Sequence, residues 1–248
     1  MYNPFNLDGK TILVTGGSSG IGRAVAIECS KMGANVIITG RNFQRLEQTF
    51  EQLDPKKNNL QIVADLTNVI DVERIATSIP KIDGLVNNAG VTKVKLVKSI
   101  KQRELQDILN VNTIAPIHLT QLLVKMEKFN NNSSIVFTSS LSGIFCVHYG
   151  ESMYAASKAA VYGFAKAAAL DLSTKDIRVN CVNPGVVETS IFDGVLTKVE
   201  LEEKKKFFPL NRFGQPIDVA PAIIFFLSDA SSWITGADLK IDGGYSLK

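Results

Sequence analysis

Tyr154 and Lys158 stand four residues apart at the head of an Ala-rich run. On a helix that spacing is one turn, so both side chains emerge on the same face. A free phenol has a pKa of about 10 and carries protons poorly at neutral pH. An ammonium beside it stabilises the phenolate and lowers that value. The pair is therefore a candidate general acid/base. Alone, such a pair is commonly just an interfacial ring beside a solvated charge, so its meaning depends on what the chain places around it.

Two further stretches bear chemistry. Gly16, Gly20 and Gly22 follow the apolar run Thr11 to Val14 and open an amphipathic helix that stops at Gly33. A strand, glycine turn and helix in that order let backbone N–H groups approach a pyrophosphate at the helix N-terminus. The next strand, Asn35 to Thr39, ends in Gly40-Arg41-Asn42. An NAD site carries an acidic residue about 20 residues after the glycines. Here Gly40 takes that place and Arg41 follows. A carboxylate would repel a 2′-phosphate, whereas a guanidinium grips one, so the expected cofactor is NADP(H). Asp65, after the third strand, is placed to accept from the adenine amino group or to cap the next helix.

The elements that must position these groups alternate along the whole chain. Strands are expected at Gln61 to Ala64, Gly84 to Asn87, Ser134 to Thr138, Ile177 to Val182 and Asp238 to Ile241. Helices are expected at Phe43 to Leu53, Val69 to Ile79, Ile100 to Phe129, Tyr154 to Ser173 and Pro216 to Leu227. Strands of Val and Ile without alternation indicate burial on both faces, hence a parallel sheet covered by helices. Right-handed crossovers make this an α/β doubly wound, Rossmann-type three-layer sandwich. With no linker or low-complexity segment, residues 1–248 read as one domain.

Composition closes off other classes. Net charge is +3 and no aromatic-studded basic patch occurs, which excludes nucleic acid as a partner. No apolar run approaches the roughly 18 residues of a membrane span, and residues 1–7 lack the pattern of a signal peptide, so a cytoplasmic protein is expected. Cys29, Cys146 and Cys181 are scattered, and His118 and His148 form no cluster with them, so neither disulfides nor a metal site is expected.

Taken together, the motifs resemble the short-chain dehydrogenase/reductase family in its compact single-domain form. The likeness rests on Thr15-Gly16-x-x-x-Gly20-x-Gly22, Asn87-Asn88-Ala89-Gly90, Asn112, Ser140, Tyr154-x-x-x-Lys158, and Asn183-Pro184-Gly185 with Thr189. The resemblance implies a catalytic set of Asn112, Ser140, Tyr154 and Lys158. Tyr154 would give a proton to a carbonyl oxygen as hydride arrives, Ser140 would hydrogen-bond that oxygen, and Lys158 would hold the ribose and depress the Tyr154 pKa. Asn112 would anchor a water beside Lys158. Ser139 and Ser142 remain alternatives for the serine. The implied cofactor contacts are Gly16, Ser18, Ser19, Gly20, Ile21, Gly22, Arg41, Asp65, Leu66, Asn88, Ala89, Gly90, Tyr154, Lys158, Pro184, Gly185, Val187 and Thr189.

Within the family the chain is most similar to 3-oxoacyl-[acyl-carrier-protein] reductases, through Asn87 to Leu96, Leu210 to Gly214 and Ile234 to Gly244. One departure is Asn130 to Ser134, where carrier-protein reductases tend to have a basic docking patch; here the nearby basic residues are Lys125 and Lys128. The expected substrate is thus a ketone or 3-ketoacyl compound, or its secondary alcohol. Specificity would come from Val91 to Ser99, from Leu141 to Met153 with His148 and Tyr149 as possible lining, and from a lid at 190–213. That lid would carry Phe192, Val195, Leu196, Leu201, Phe207 and Phe208 on its apolar face. The family implies a homo-oligomer, a tetramer or dimer. Two other readings stand beside this one: an NAD-linked sugar, polyol or steroid-type dehydrogenase, and a non-catalytic nucleotide-sensing scaffold.

Overall fold

The computed structural model describes residues 2–189, 203 and 205–247. Most of the stretch expected to form the lid, including Phe192, Val195, Leu196 and Leu201, lies outside the described residues.

Seven strands make the sheet: β1 (Thr11–Thr15), β2 (Asn35–Gly40), β3 (Leu60–Val63), β4 (Ile82–Asn87), β5 (Phe129–Thr138), β6 (Arg178–Pro184) and β7 (Asp238–Ile241). All pair in parallel, in the order β3-β2-β1-β4-β5-β6-β7. The helices between them are α1 (Gly20–Lys31), α2 (Phe43–Phe50), α3 (Val69–Ser78), α4 (Gln102–Leu109), α5 (Ala115–Lys125), α6 (Ser152–Asp171) and α7 (Pro216–Leu227). The architecture is the expected Rossmann-type α/β fold.

The central strands are apolar throughout because they meet helices on both faces. Ile12, Val14, Val36, Ile38, Val86 and Val136 point into one core with residues of α1 and α7. Their neighbours Leu13, Ile37, Leu85, Ile135 and Phe137 point into the other, against α3, α5 and α6. Alternate residues turn to opposite faces of a strand, so a continuous apolar run fills two cores. Leu85 and Phe137 are fully buried, each contributing about 1.5–3 kcal/mol relative to exposure.

The order of strands dictates where a ligand can enter. From β1 the chain runs outward to β2 and β3, then returns to β4 on the other side and continues to β7. The helices following β1 and β4 diverge, leaving a crevice over the carboxyl ends of those two strands.

One element differs from expectation. The helix anticipated over Ile100 to Phe129 is two helices joined by a π turn, Asn110–Ile114, where the Ala115 N–H bonds the carbonyl of Asn110 five residues back. Pro116 lies inside that run and has no N–H to offer the carbonyl of Asn112. Phe129 already belongs to β5 and pairs with Ile82.

Candidate active site

The crevice is stapled open by Thr15 at the end of β1. Its hydroxyl donates to Val86 O (3.1 Å) and accepts from the N–H groups of Asn88 (2.9 Å) and Ala89 (3.1 Å). The Asn88 amide donates back to Thr15 O at 3.2 Å. These bonds join the glycine turn after β1 to the Asn-Asn-Ala-Gly segment after β4. Gly22 lets the two approach: a Cβ there would collide with Gly16 O and lie 2.6 Å from Asn88 Nδ2.

A cleft of about 470 Å³ runs along this seam. Of the residues expected at a cofactor, Gly16, Ser18, Ser19, Gly20, Ile21, Arg41, Asp65, Leu66, Asn88, Ala89, Gly90 and Thr189 line it. Gly22 does not; it packs behind the turn. Ser19 is the N-cap of α1 yet makes no side-chain cap, whereas Asn42 and Asn68 cap α2 and α3. The first N–H groups of α1 are thus offered to the cleft, the usual arrangement for holding an anion. Arg41 is exposed at the far end and has no side-chain partner among the described residues. Asp65 is not a helix cap: its carboxylate accepts from the backbone N–H and hydroxyl of Thr67 (2.9 and 2.8 Å), and Asn68 caps α3.

The first cleft opens into a second of about 450 Å³, lined by Ser140, Tyr154, Lys158, Pro184, Gly185 and Val187 among others. Lys158 is 5% exposed. Its ammonium donates to Thr138 O at 2.8 Å, which leaves two donors uncommitted by any described residue. Burial pulls its pKa down to about 8. Tyr154 is raised, not lowered: burial penalises the phenolate most, a hydrogen bond with Ser140 opposes it, and the Glu151 charge adds to the rise. The Lys158 ammonium lies 5.9 Å from the centre of the Tyr154 ring and is turned toward Thr138. The expected depression by lysine is therefore absent here, and the phenol keeps its proton across neutral pH.

Asn112 lines neither cleft. The π turn aims it at the loop after β4, where Oδ1 accepts from Val91 N (2.8 Å) and Nδ2 donates to Val91 O (2.9 Å) and Ser157 Oγ (3.0 Å). It sits close behind Lys158: a Cβ on Gly90 would be 3.3 Å from its Oδ1 and 3.4 Å from the Lys158 ammonium. The three serines separate by their bonds. Ser139 Oγ donates to Lys158 O (3.0 Å) and Ser142 Oγ to Glu151 Oε2 (2.9 Å), while Ser140 faces Tyr154.

Comparison with known proteins adds to this geometry. Residues 16–246 match a family model described as enoyl-(acyl carrier protein) reductase. This chain belongs to the short-chain dehydrogenase/reductase family, and it is an oxidoreductase. It is 38% identical over 243 residues to the 3-oxoacyl-[acyl-carrier-protein] reductase FabG of Thermotoga maritima, covering 96% of this chain and 98% of that protein. Among solved structures, the NADP active-site complex of Pseudomonas aeruginosa RhlG superposes with a TM-score of 0.92 at 27% identity, covering 99% of this chain and all of that one. A short-chain type dehydrogenase/reductase from Mycobacterium marinum gives 0.86 at 30% identity, covering 99% and 98%.

Several groups at this short-chain dehydrogenase/reductase site escaped sequence reasoning. Glu151 and Tyr245 line the second cleft together with His148, whereas Tyr149 is 95% exposed and lies outside it. Glu151 had a usable signal, standing one turn before Tyr154. Tyr245 had none, because it arrives from 91 positions further along the chain by tertiary folding. Among the described residues no helix is long and apolar enough to cross a membrane, and no group of His, Cys, Asp or Glu could hold a metal.

Gly143 seats the serine loop on α6. It has φ of 85°, and a Cβ there would collide with Ala155 O. Gly143→Ala should therefore cost about 1–3 kcal/mol of backbone strain, read by calorimetry as a melting midpoint lowered by roughly 2–4 °C per kcal/mol. An unchanged midpoint would contradict this account of the loop.

Proposed function

We propose that the protein is an NADPH-dependent ketoreductase, reducing a ketone or 3-ketoacyl group to a secondary alcohol. The observation that carries this reading is the convergence of Ser140, Tyr154 and Lys158 where the second cleft meets the first. The residues suit a nicotinamide dinucleotide. An uncapped helix N-terminus faces a glycine-walled groove, and a buried ammonium with spare donors stands where ribose hydroxyls would lie. Bound there, the cofactor supplies hydride to the carbonyl carbon.

The chain's own residues supply the rest. Ser140 and Tyr154 line the same cleft and act on one another, so the two hydroxyls can share one carbonyl oxygen. Both donate to it, and their bonds strengthen as negative charge grows there. The raised phenol is a reservoir of one proton, delivered from Tyr154 Oη to the forming alkoxide. Lys158 stabilises the resulting phenolate and orients the ribose, with Asn112 fixing the loop beneath it. Arg41 would select the 2′-phosphate. The RhlG structure is an NADP complex, and the Thermotoga relative is a 3-oxoacyl-[acyl-carrier-protein] reductase. The first supports NADP(H) as the cofactor, the second a 3-ketoacyl group as the substrate.

Carrier attachment of the substrate is not favoured by Asn130 to Ser134, where Asn132 and Ser133 offer no positive charge to an acidic carrier. A free ketone or small thioester fits this chain as well. The reading takes residues 1–248 as one domain with a lid over 190–213.

Nicotinamide absorbance, followed with both cofactors against a panel of ketones and 3-ketoacyl thioesters, tests the function. Tyr154→Phe should lower kcat by about 10²–10⁴, the usual share of a general acid, while NADPH fluorescence titration gives an unchanged Kd. Full turnover in that variant sinks the mechanism. Arg41→Ala should weaken NADPH binding by about 10–100-fold, as expected for lost hydrogen bonds between charged groups, and leave NADH untouched. An unaltered NADPH Kd would remove the basis for cofactor choice.

We also infer a homo-oligomer, a D2 tetramer or a dimer. Ile114 and Leu170, on the side of the sheet that carries α5 and α6, are 56% and 77% exposed, and such apolar surface is commonly covered by a second copy. Multi-angle light scattering should return a multiple of 27.0 kDa; a monomer peak contradicts it.

A further inference from the structure

Four side chains in the second cleft form an unbroken chain of hydrogen bonds that ends on Ser140. The Tyr245 hydroxyl lies 2.8 Å from His148 Nε2, and His148 Nδ1 lies 3.2 Å from Glu151 Oε2. The same carboxylate oxygen accepts from Ser142 Oγ at 2.9 Å, and the Ser142 N–H donates to Ser140 Oγ at 3.1 Å. Their directions follow from chemistry. A carboxylate only accepts, so His148 Nδ1 carries a hydrogen toward Glu151; in the neutral ring Nε2 then accepts from the Tyr245 O–H.

The far end of this chain is firmly placed. Asp242 closes the turn that carries Tyr245, accepting from Gly244 N (3.0 Å) and Ser246 N (2.9 Å). The Tyr245 ring stacks on Phe208 with centroids 4.8 Å apart. Tyr245 thus joins the segment before α7 to the loop between β5 and α6. Glu151 also acts on Cys146 of its own loop and on Tyr154 of α6, and Asp242 of the C-terminal segment acts on Cys146.

We propose that Tyr245, His148, Glu151 and Ser142 are positioning residues that fix the Ser140 hydroxyl and form the polar wall against which the carbonyl substrate is held. The proposal rests on the ketoreductase reading. Glu151 uses one oxygen, Oε2, for both of its side-chain bonds. Its other oxygen and the Tyr245 hydroxyl are available to a substrate bearing a hydroxyl or another polar group beyond the carbonyl. A purely apolar ketone gains nothing from them, so polar ketones should be preferred over apolar ones of equal size.

The test uses the full chain and compares Tyr245→Phe, His148→Ala, the double variant, Glu151→Ala and Glu151→Gln with the wild type. Each is assayed for carbonyl KM and kcat and for NADPH Kd by fluorescence. Imidazole ¹⁵N shifts are recorded on wild type and Tyr245→Phe, with His148 assigned by its loss in His148→Ala; only His118 shares that spectral region. Tyr245→Phe and His148→Ala should each raise the KM of a polar ketone by about tenfold, the order of one lost hydrogen bond, with NADPH Kd unchanged. Because both break one chain, the double variant should be no worse than His148→Ala. Glu151→Ala should lower kcat as well, and Glu151→Gln should recover most of it, since its carbonyl still accepts from Ser142.

In the spectra, His148 should carry its hydrogen on Nδ1, and its Nε2 signal should move in Tyr245→Phe. Losses that multiply in the double variant, an NADPH Kd that shifts with the carbonyl KM, unaltered kinetics in all variants, or a hydrogen on Nε2 alone would each overturn the proposal while the ketoreductase reading stands. A wild type that reduces no carbonyl in the panel overturns that reading, and the positioning role with it.

Discussion

A buried ammonium holds this site together. Lys158 projects from α6 to the carbonyl at the end of β5, and only 5% of it meets solvent. Moving a charge out of water costs several kcal/mol unless it is well bonded, and a single carbonyl does not satisfy three N–H donors. Lys158 responds by holding its proton less tightly, with a pKa of about 8. That tension ties the helix to the sheet and leaves donor capacity pointing into the cleft.

The surrounding structure keeps the ammonium there. The π turn at Asn110–Ile114 lets Asn112 clamp Val91 and Ser157, so the loop after β4 cannot drift from α6. Thr15 fixes the other side of the same loop to β1. Both clamps act on the crevice that strand order creates between β1 and β4. Fold and chemistry meet in that loop: it is the wall shared by the dinucleotide groove and the pocket where Tyr154 waits with its proton.

Tyr154 itself illustrates how position outweighs sequence spacing. Four residues from a lysine, a phenol would be expected to acidify. Burial and the nearby Glu151 carboxylate instead raise it, because the lysine is drawn toward Thr138. A raised phenol stays protonated until a stronger base such as a forming alkoxide takes the proton, and the phenolate left behind needs the ammonium to turn toward it. The polar network from Tyr245 to Ser140 then decides how the substrate is presented, and it is assembled from both ends of the C-terminal half.

The sequence by itself determined the α/β class, the parallel sheet, the glycine turn and the placing of Tyr154 and Lys158 on one helical turn. Those features depend on local periods and on residues that are close along the chain. α7 and β7 matched their expected bounds, Pro216–Leu227 and Asp238–Ile241; proline starts the helix, and its apolar residues run on to Leu227. What only tertiary structure decided lies between distant segments. The break at Asn110–Ile114, the choice of Ser140 over Ser139 and Ser142, the sign of the Tyr154 shift and the arrival of Tyr245 beside His148 all depend on which groups meet across space. Burial and hydrogen-bond partners are set by packing, and no spacing along the chain encodes them.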